Sequence, residues 1–362
     1  MAKKMKKRVV VAMSGGVDSS TAAALLIKQG YDVIGISMKL WKDEYYNTQK
    51  GGTCCSLDDI SDARRVSDKL KIPFYVMNME REFRNSVVNY FIDEYLNGKT
   101  PNPCIPCNKV LKFDLLTERA KQLGADFIAT GHYAKKVKCK NGSYIIKRGE
   151  DAEKDQSYFL FNLTQAQLKK ILFPLGGYSK EDVRNLARSM NLNVAGKSES
   201  QEICFIPDND YPAFILKEKG VEFVKKGKIV NSEGKILGEH NGILFYTIGQ
   251  RKGLKISSTA PLYVKRIDAA NNRLTVGSKE EIKSRKFSIQ NVNWFKLPVS
   301  TNKIHELVQI RYRHKPAFAV ISFDNPAEPE IEFDEAQEAI TPGQAAVIYH
   351  NDTILGGGWI KK

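Results

Sequence analysis

The sequence predicts an α/β fold, a doubly wound parallel sheet, followed by a small middle domain and a C-terminal antiparallel β-barrel-like domain. Three observations lead there. From Arg8 to about His132 short buried-strand patterns alternate with helical ones, as in parallel sheets with crossover helices on their faces. After about Pro207 the texture changes to short alternating runs, the mark of antiparallel sheets and small barrels. At 362 residues the chain is also too long for one ordinary core. The expected domains are 1–206, 207–281 and 282–362.

The elements follow in order. VVVAM reads as a strand and the residues through Leu26 as a helix. DVIGISM is the next strand, followed by a helix that the Ser56-Leu57-Asp58-Asp59 capping box starts and that runs to Leu70. PFYVMNM, a helix around Val87 to Leu96 stopped by Gly98, a helix from about Lys109 to Leu123 stopped by Gly124, and the strand DFIATG continue the alternation. Asn141-Gly142 marks a hairpin, and Ser157–Leu172 and Ser179–Met190 read as helical. Farther on, GKIVNSEGKILGEH reads as a hairpin about Glu233-Gly234, and LVQIRYRHKPAFAVISF and AAVIYHNDTILGGGWI as barrel strands.

A net charge of +15, from 56 basic and 41 acidic residues, points to a polyanionic partner, with nucleic acid ahead of an anionic membrane. The basic start MAKKMKKR is followed by an apolar run too short for a targeting segment, broken at Ser14-Gly15-Gly16. No stretch approaches the roughly 20 apolar residues that span a bilayer, so the expected compartment is the cytoplasm. Six cysteines, two of them in Cys104-Ile105-Pro106-Cys107, are not a secreted disulfide framework; in a reducing compartment they suggest catalysis or metal binding.

The loop after the first strand, Ser14-Gly15-Gly16-Val17-Asp18-Ser19, leads into a helix N-terminus, where unpaired amides and the helix dipole attract phosphate. It has no lysine and so is not a Walker loop, and it lacks the GxGxxG spacing of a dinucleotide fold. Its two glycines let backbone close around an anion, its serines donate, and Asp18 is placed to hold Mg²⁺. The ligand belongs at the carboxyl ends of the strands, where Met38, Gly131 and His132 also fall.

The candidate nucleophiles are Cys104, Cys107 and Cys204. Three prolines in TPNPCIPCNKVLKF suggest an exposed, stiff loop with Asn108 capping the next helix, and Cys107 near a helix N-terminus that lowers its pKa. Structural zinc is disfavoured because no second Cys/His pair at ligand spacing completes four ligands. Cys54, Cys55 and Cys139 read as packing or incidental thiols. His132 reads as a base or tRNA contact rather than a general base, and Tyr312 between Arg311 and Arg313 suits base stacking and phosphate contact as well as an ordinary solvated strand face.

AMSGGVDSS, GTCCSLDDISDARRV, TPNPCIPCN with LKF, ATGHYA, KDQSYFL, ESQEICFIP, TIGQRKGL and RYR occur in this order from about residue 8 onward. In that order they resemble the tRNA-specific 2-thiouridylases of the MnmA type, within the ATP pyrophosphatase superfamily. The resemblance implies ATP at Ala12, Met13, Ser14, Gly15, Gly16, Val17, Asp18 and Ser19, with Met38 and Gly131. It implies Cys107 as nucleophile and Cys204 as persulfide carrier, closing to a Cys107–Cys204 disulfide after sulfur release. It implies tRNA contacts from Asn102, Pro103, Cys104, His132, Lys154, Asp155, Gln156, Arg311, Tyr312, Arg313 and Gln344. The expected substrates are wobble-uridine tRNAs for Lys, Glu and Gln, and the expected partner is a sulfur-relay protein or cysteine desulfurase. One departure matters: Cys104 stands where the family pattern has aspartate, and three cysteines could ligate a [4Fe–4S] cluster in place of the persulfide relay. Other ATP pyrophosphatases that attack an adenylate with nitrogen, and a nucleotide-regulated RNA-binding protein, are the competing readings; neither uses Cys107 and Cys204.

Overall fold

The computed structural model describes residues 6–41, 56–197, 203–206, 209–296 and 302–361. Cys54 and Cys55 lie outside them. The chain divides into two compact units, one of Met1–Val87, Cys104–Asn209 and Asp352–Ile354, the other of Val88–Pro103, Asp210–Asn351 and Leu355–Lys362.

In the first unit β1 (Arg8–Ala12) leads into α1 (Val17–Lys28), β2 (Asp32–Lys39) into α2 (Leu57–Leu70), and β3 (Phe74–Asn78) follows. β4 (Phe127–Ala129), the hairpin β5 (Ala134–Lys138) and β6 (Tyr144–Arg148), β7 (Ile171–Leu172) and α3 (Lys180–Ser189) complete it. β3, β2, β1, β4 and β7 form one sheet in that order, and every pairing is parallel. Val9 and Val11 join a core with Ala22, Ala23 and Leu26 of α1, Ala63 and Val66 of α2, and Val183 and Ala187 of α3. Val10, which points to the opposite face, is also fully buried, so β1 is covered on both sides and reads as an unbroken apolar run. Because β1 pairs with β2 on one side and β4 on the other, the strand order reverses beside it. A crevice opens at the carboxyl end of such a switch point, and the Ser14–Ser19 loop sits there.

In the second unit β8 (Gly227–Val230), β9 (Ile236–His240), β10 (Tyr263–Asp268) and β11 (Arg273–Gly277) form a small sheet in the order β10-β11-β8-β9, over a core that includes Ile229, Val264, Leu274 and Val276. β12 (Lys283–Trp294), β13 (Lys303–Gln309), β14 (Ala317–Ser322), β15 (Glu330–Glu338), β16 (Ala345–His350) and β17 (Thr353–Lys361) follow in the order β12-β15-β14-β13-β16-β17. Pairing of β12 with β17 closes them into a six-stranded barrel, which leaves no edge to aggregate. Its interior holds Ile289, Val308, Ile321, Phe333, Ala346 and Ile348.

Three local expectations are corrected. In the proline-rich TPNPCIPC stretch, Thr100–Pro103 has no helix or strand but is not exposed, Pro101 and Pro103 being buried; from Cys104 a helical run begins, passes through a π-helical segment Cys107–Leu115 and ends as Leu116–Gln122. Proline is tolerated there because the first-turn amides have no intrahelical acceptor. Asn108, expected as the cap, lies inside the run and is buried. Ser157–Leu172 is not one helix but a short 3₁₀ turn at Ser157–Leu160, a helix at Gln165–Lys170 capped by Thr164, and then β7. Arg311, Tyr312 and Arg313 are on no strand; they form the loop between β13 and β14.

Candidate active site

The glycine loop is built by close packing. Gly15 has φ +70°, and a Cβ there would stand 2.1 Å from the Asp59 carbonyl oxygen of α2, so both conformation and space demand glycine. Gly131, just after β4, would drive a Cβ to 2.9 Å from Asp18 C and Ser19 N; its missing side chain lets the end of β4 lie against the loop. Met13 is 1 % exposed, its amide extends the β1–β2 ladder to the Ile36 carbonyl and its carbonyl accepts from Ser37 Oγ, so it is core rather than lining. Ala12 and Met38 are likewise buried. Ser14 is exposed; its amide donates to Ser19 Oγ at 3.1 Å, and Ser20 Oγ donates to the Gly16 carbonyl at 2.9 Å.

The N-cap of α1 is Gly16, with no side-chain hydrogen bond to the first turn. The N-caps of α2 and α3, Ser56 and Ser179, each make a reciprocal capping box, with Asp59 and Asp182. A first turn without a side-chain cap leaves amide donors that an anion can satisfy.

Asp18, the second residue of α1, does not stand alone. Its Oδ1 and Oδ2 accept from Lys180 Nζ at 2.8 and 2.9 Å, and Oδ1 also accepts from Tyr133 Oη at 2.7 Å. Lys180 Nζ lies 5.7 Å from the Tyr133 ring centroid. A second lysine, Lys197, bridges Asp59 Oδ1 and Asp62 Oδ2 at 2.6 Å each and reaches the Gly15 carbonyl at 3.3 Å. These three residues were not singled out from the sequence. A readable signal existed for Lys180: a lysine directly after a serine N-cap opposes the helix dipole.

The thiols share this unit. Cys104 opens the helical run and Cys107 begins its π segment; both are half-buried, as is Cys204. Cys204 is held by its neighbour Phe205, 2 % exposed, which packs edge-on against Phe83 at 5.6 Å and beside Trp41 at 6.1 Å. The side-chain Oδ1 of Asn108, buried next to Cys107, has no hydrogen-bond partner among the described residues, an orphaned acceptor beside a candidate nucleophile.

Residues 7–208 match the family described as "tRNA methyl transferase HUP domain", 214–278 the "tRNA methyl transferase PRC-barrel domain" and 284–360 the "Aminomethyltransferase beta-barrel domain". The chain is 52 % identical over 98 % of its length to a tRNA-specific 2-thiouridylase MnmA of Geotalea uraniireducens, of which 95 % is covered. It is 49 % identical to the proteins of that name from Geobacter metallireducens, covering 99 % of this chain and 98 % of that one, and from Clostridium acetobutylicum, covering 99 % and 100 %. The chain belongs to the tRNA-specific 2-thiouridylase family.

Within this thiouridylase-family chain the residues expected at tRNA fall into two groups. Some are scaffold. Asp155, 6 % exposed, accepts from Arg148 Nη1, Gly149 N, Ser157 N and Ser157 Oγ at 2.8–3.1 Å. Gln156 clamps Tyr133, its Oε1 accepting from Tyr133 N at 3.1 Å and its amide donating to the Tyr133 carbonyl at 2.9 Å. Lys154 precedes them, half-buried, with its amide on the Asp151 carbonyl. His132 is 7 % exposed, bonded through Nδ1 to Thr130 Oγ1 at 2.7 Å and flanked by Phe113 and Phe173. Burial, and secondarily the Lys112 charge, hold its pKa well below the usual imidazole value, so the ring is neutral at physiological pH.

The others are presented outward. Arg311 and Arg313 are exposed and Tyr312 half-buried, on a loop fixed by buried Gln309, whose Nε2 donates to the Tyr312 carbonyl at 2.7 Å. In the same unit Gln344 Nε2 donates to the Thr100 carbonyl at 2.9 Å, and Thr100 N to the Pro342 carbonyl at 3.0 Å. These bonds set the path of Asn102, half-buried, and Pro103, buried.

For a magnesium ion the fit is one carboxylate, Asp18, whose side chain is 32 % exposed beside the uncapped turn; one carboxylate plus substrate phosphates is the usual protein share of such a site. Among the described residues, no three His, Cys, Asp or Glu side chains are grouped to hold a metal. No described helix is long and apolar enough to cross a membrane.

Proposed function

We propose that this protein synthesises 2-thiouridine in tRNA, at the wobble uridine of tRNAs for Lys, Glu and Gln, by adenylation followed by sulfur transfer from a cysteine persulfide. The observation that carries the reading is the uncapped first turn of α1 with Asp18 beside it, in the same compact unit as Cys107 and Cys204. The backbone of Ser14–Ser19, with Ala12, Met13, Met38 and Gly131 shaping the crevice, binds ATP. Asp18 would hold Mg²⁺, which would supply charge neutralisation at the phosphates when bound. Uridine O2 attacks the α-phosphorus, and pyrophosphate leaves toward the amides and dipole of α1. Adenylation turns O2 into a good leaving group. The terminal sulfur on Cys204 attacks C2 and AMP departs. Cys107, as its thiolate, attacks Cys204 Sγ. The S–S bond breaks, sulfur stays on C2, and a Cys107–Cys204 disulfide forms that a reductant reopens.

Asn102, Pro103 and Cys104 are assigned to the target base, and His132, Lys154, Asp155, Gln156, Arg311, Tyr312, Arg313 and Gln344 to further tRNA contacts. The net charge of +15 supports a polyanionic substrate. A sulfur-relay protein or cysteine desulfurase loads Cys204, in the cytoplasm. The paired thiols favour thiolation over the methyl transfer named in the matched family descriptions, since methyl transfer needs neither a persulfide nor an adenylate.

The test is mass-spectrometric nucleoside analysis of unmodified tRNA incubated with the protein, Mg-ATP and a persulfide donor. The expected product is 2-thiouridine, with AMP and pyrophosphate released in tRNA-dependent fashion and lost in Cys107→Ser and Cys204→Ser. Thiolation that survives both substitutions would overturn the persulfide relay, and absence of any thiolated nucleoside would overturn the function.

A further inference from the structure

We infer that Lys180 is the phosphate-binding lysine of the glycine loop, held by Asp18 while the loop is empty and passed to the phosphates of ATP when Asp18 turns to the metal. The inference rests on the ATP reading above and names a residue that the loop motif does not contain. Ser14–Ser19 carries no lysine; the cation arrives from the first position of α3.

Lys180 is costly where it stands. A cation in the first turn of a helix opposes the dipole, and its side chain is only 10 % exposed, which adds desolvation. The geometry nevertheless fixes it firmly. Ser179 and Asp182 close the capping box around it, and its own amide donates to Asp151 Oδ2 at 2.9 Å. Its ammonium contacts both Asp18 oxygens at 2.8 and 2.9 Å, over the Tyr133 ring. A pair serving stability alone could be exchanged for apolar side chains with little loss, and it would not need to lie at a crevice. This pair does, because Asp18 is the second residue of the uncapped helix and is one-third exposed. The amides of α1 offer an arriving phosphate partial charges; Lys180 adds a full one at the same place. Its pairing with Asp18 keeps both groups satisfied in the empty protein and leaves each ready for a different part of Mg-ATP.

The experiment measures binding of Mg-ATP and of adenosine by titration calorimetry, with thermal unfolding of the nucleotide-free protein, for the parent, Lys180→Met, Asp18→Asn and the double variant. Lys180→Met should weaken ATP at least tenfold, leave adenosine and tRNA affinity within about twofold, and lower the unfolding temperature because Asp18 loses its partner. The double variant, with neither charge left buried, should regain the unfolding temperature and still bind ATP at least fivefold more weakly than Asp18→Asn. If the double variant and Asp18→Asn bind ATP equally, or if Lys180→Met matches the parent, the lysine only neutralises Asp18 and the inference fails. A Lys180→Met that does not fold leaves the double variant against Asp18→Asn as the deciding pair. A parent that binds no ATP overturns the ATP reading itself, and the inference with it.

Discussion

The first turns of α1, α2 and α3 lie in the same unit and are finished in opposite ways. α2 and α3 begin with Ser–x–x–Asp boxes in which serine and aspartate satisfy two orphan donors reciprocally. α1 begins with Gly16, which supplies no side-chain acceptor. The sequence had serines available, since Ser14, Ser19 and Ser20 surround the turn, yet their hydroxyls bond to one another and to the Gly16 carbonyl rather than capping. The first-turn amides of α1 are thus left without a side-chain acceptor, and the proposed ATP site would use them.

That contrast can be broken from either side. The largest effect is expected from Gly15→Ala: the left-handed φ and the 2.1 Å approach to Asp59 O should cost more than about 2 kcal/mol of stability and remove ATP binding. Retention of both would mean the loop relaxes easily. Next comes Gly16→Asp, which gives α1 the cap its neighbours have. Gly16 has φ −92° and a Cβ there meets nothing closer than Ser14 Oγ at 3.7 Å, so the fold should hold or gain a few tenths of a kcal/mol. ATP affinity should nevertheless fall roughly tenfold to a hundredfold, the worth of one charge-assisted hydrogen bond at about 1.5–3 kcal/mol. A capped loop that binds ATP as before would end the comparison.

Ser56→Ala sharpens it from the other side. Loss of the α2 cap should lower unfolding free energy by about 1 kcal/mol while ATP affinity stays unchanged, measured by urea denaturation and calorimetry. The smallest effect concerns pH. The hydrogen bonds from the Ser179 hydroxyl and amide hold the exposed Asp182 carboxyl below its usual range. Its folded pKa being depressed, its contribution is complete above the unfolded value and is lost as pH falls through the folded one. Parent and Asp182→Asn unfolding curves should therefore differ near neutrality and converge in acid; a gap that persists unchanged in acid would mean the cap does not depend on the carboxylate charge.

Much of the site was legible because local patterns carry it. SGGVDS lies between an apolar strand and a helix, the setting in which an anion-binding turn is proposed, and Ser56 with Asp59 specified the α2 cap. Gly131 was legible by position at the end of β4, although its physical task, admitting the backbone of Asp18 and Ser19, depends on a contact across the sheet. The proline-rich stretch misled because prolines in a first turn and prolines in a loop read alike. Helix or loop there was decided by the packing of Ile105, Leu111 and Phe113, all fully buried. The 157–172 segment misled because a helical period continues through residues that the sheet recruits at Ile171.

What the sequence determined by itself is what short range can encode: the βα alternation, the caps and the glycine turn between β1 and α1. What only the tertiary structure decided is which distant side chains complete the loop. Lys180, Lys197 and Tyr133 reach Asp18 and Gly15 across more than a hundred residues of chain. No periodicity records such a meeting. The parallel order β3-β2-β1-β4-β7 brings the carboxyl ends of strands far apart in sequence to one edge, and long-range ion pairs form only where that topology has already placed their backbones.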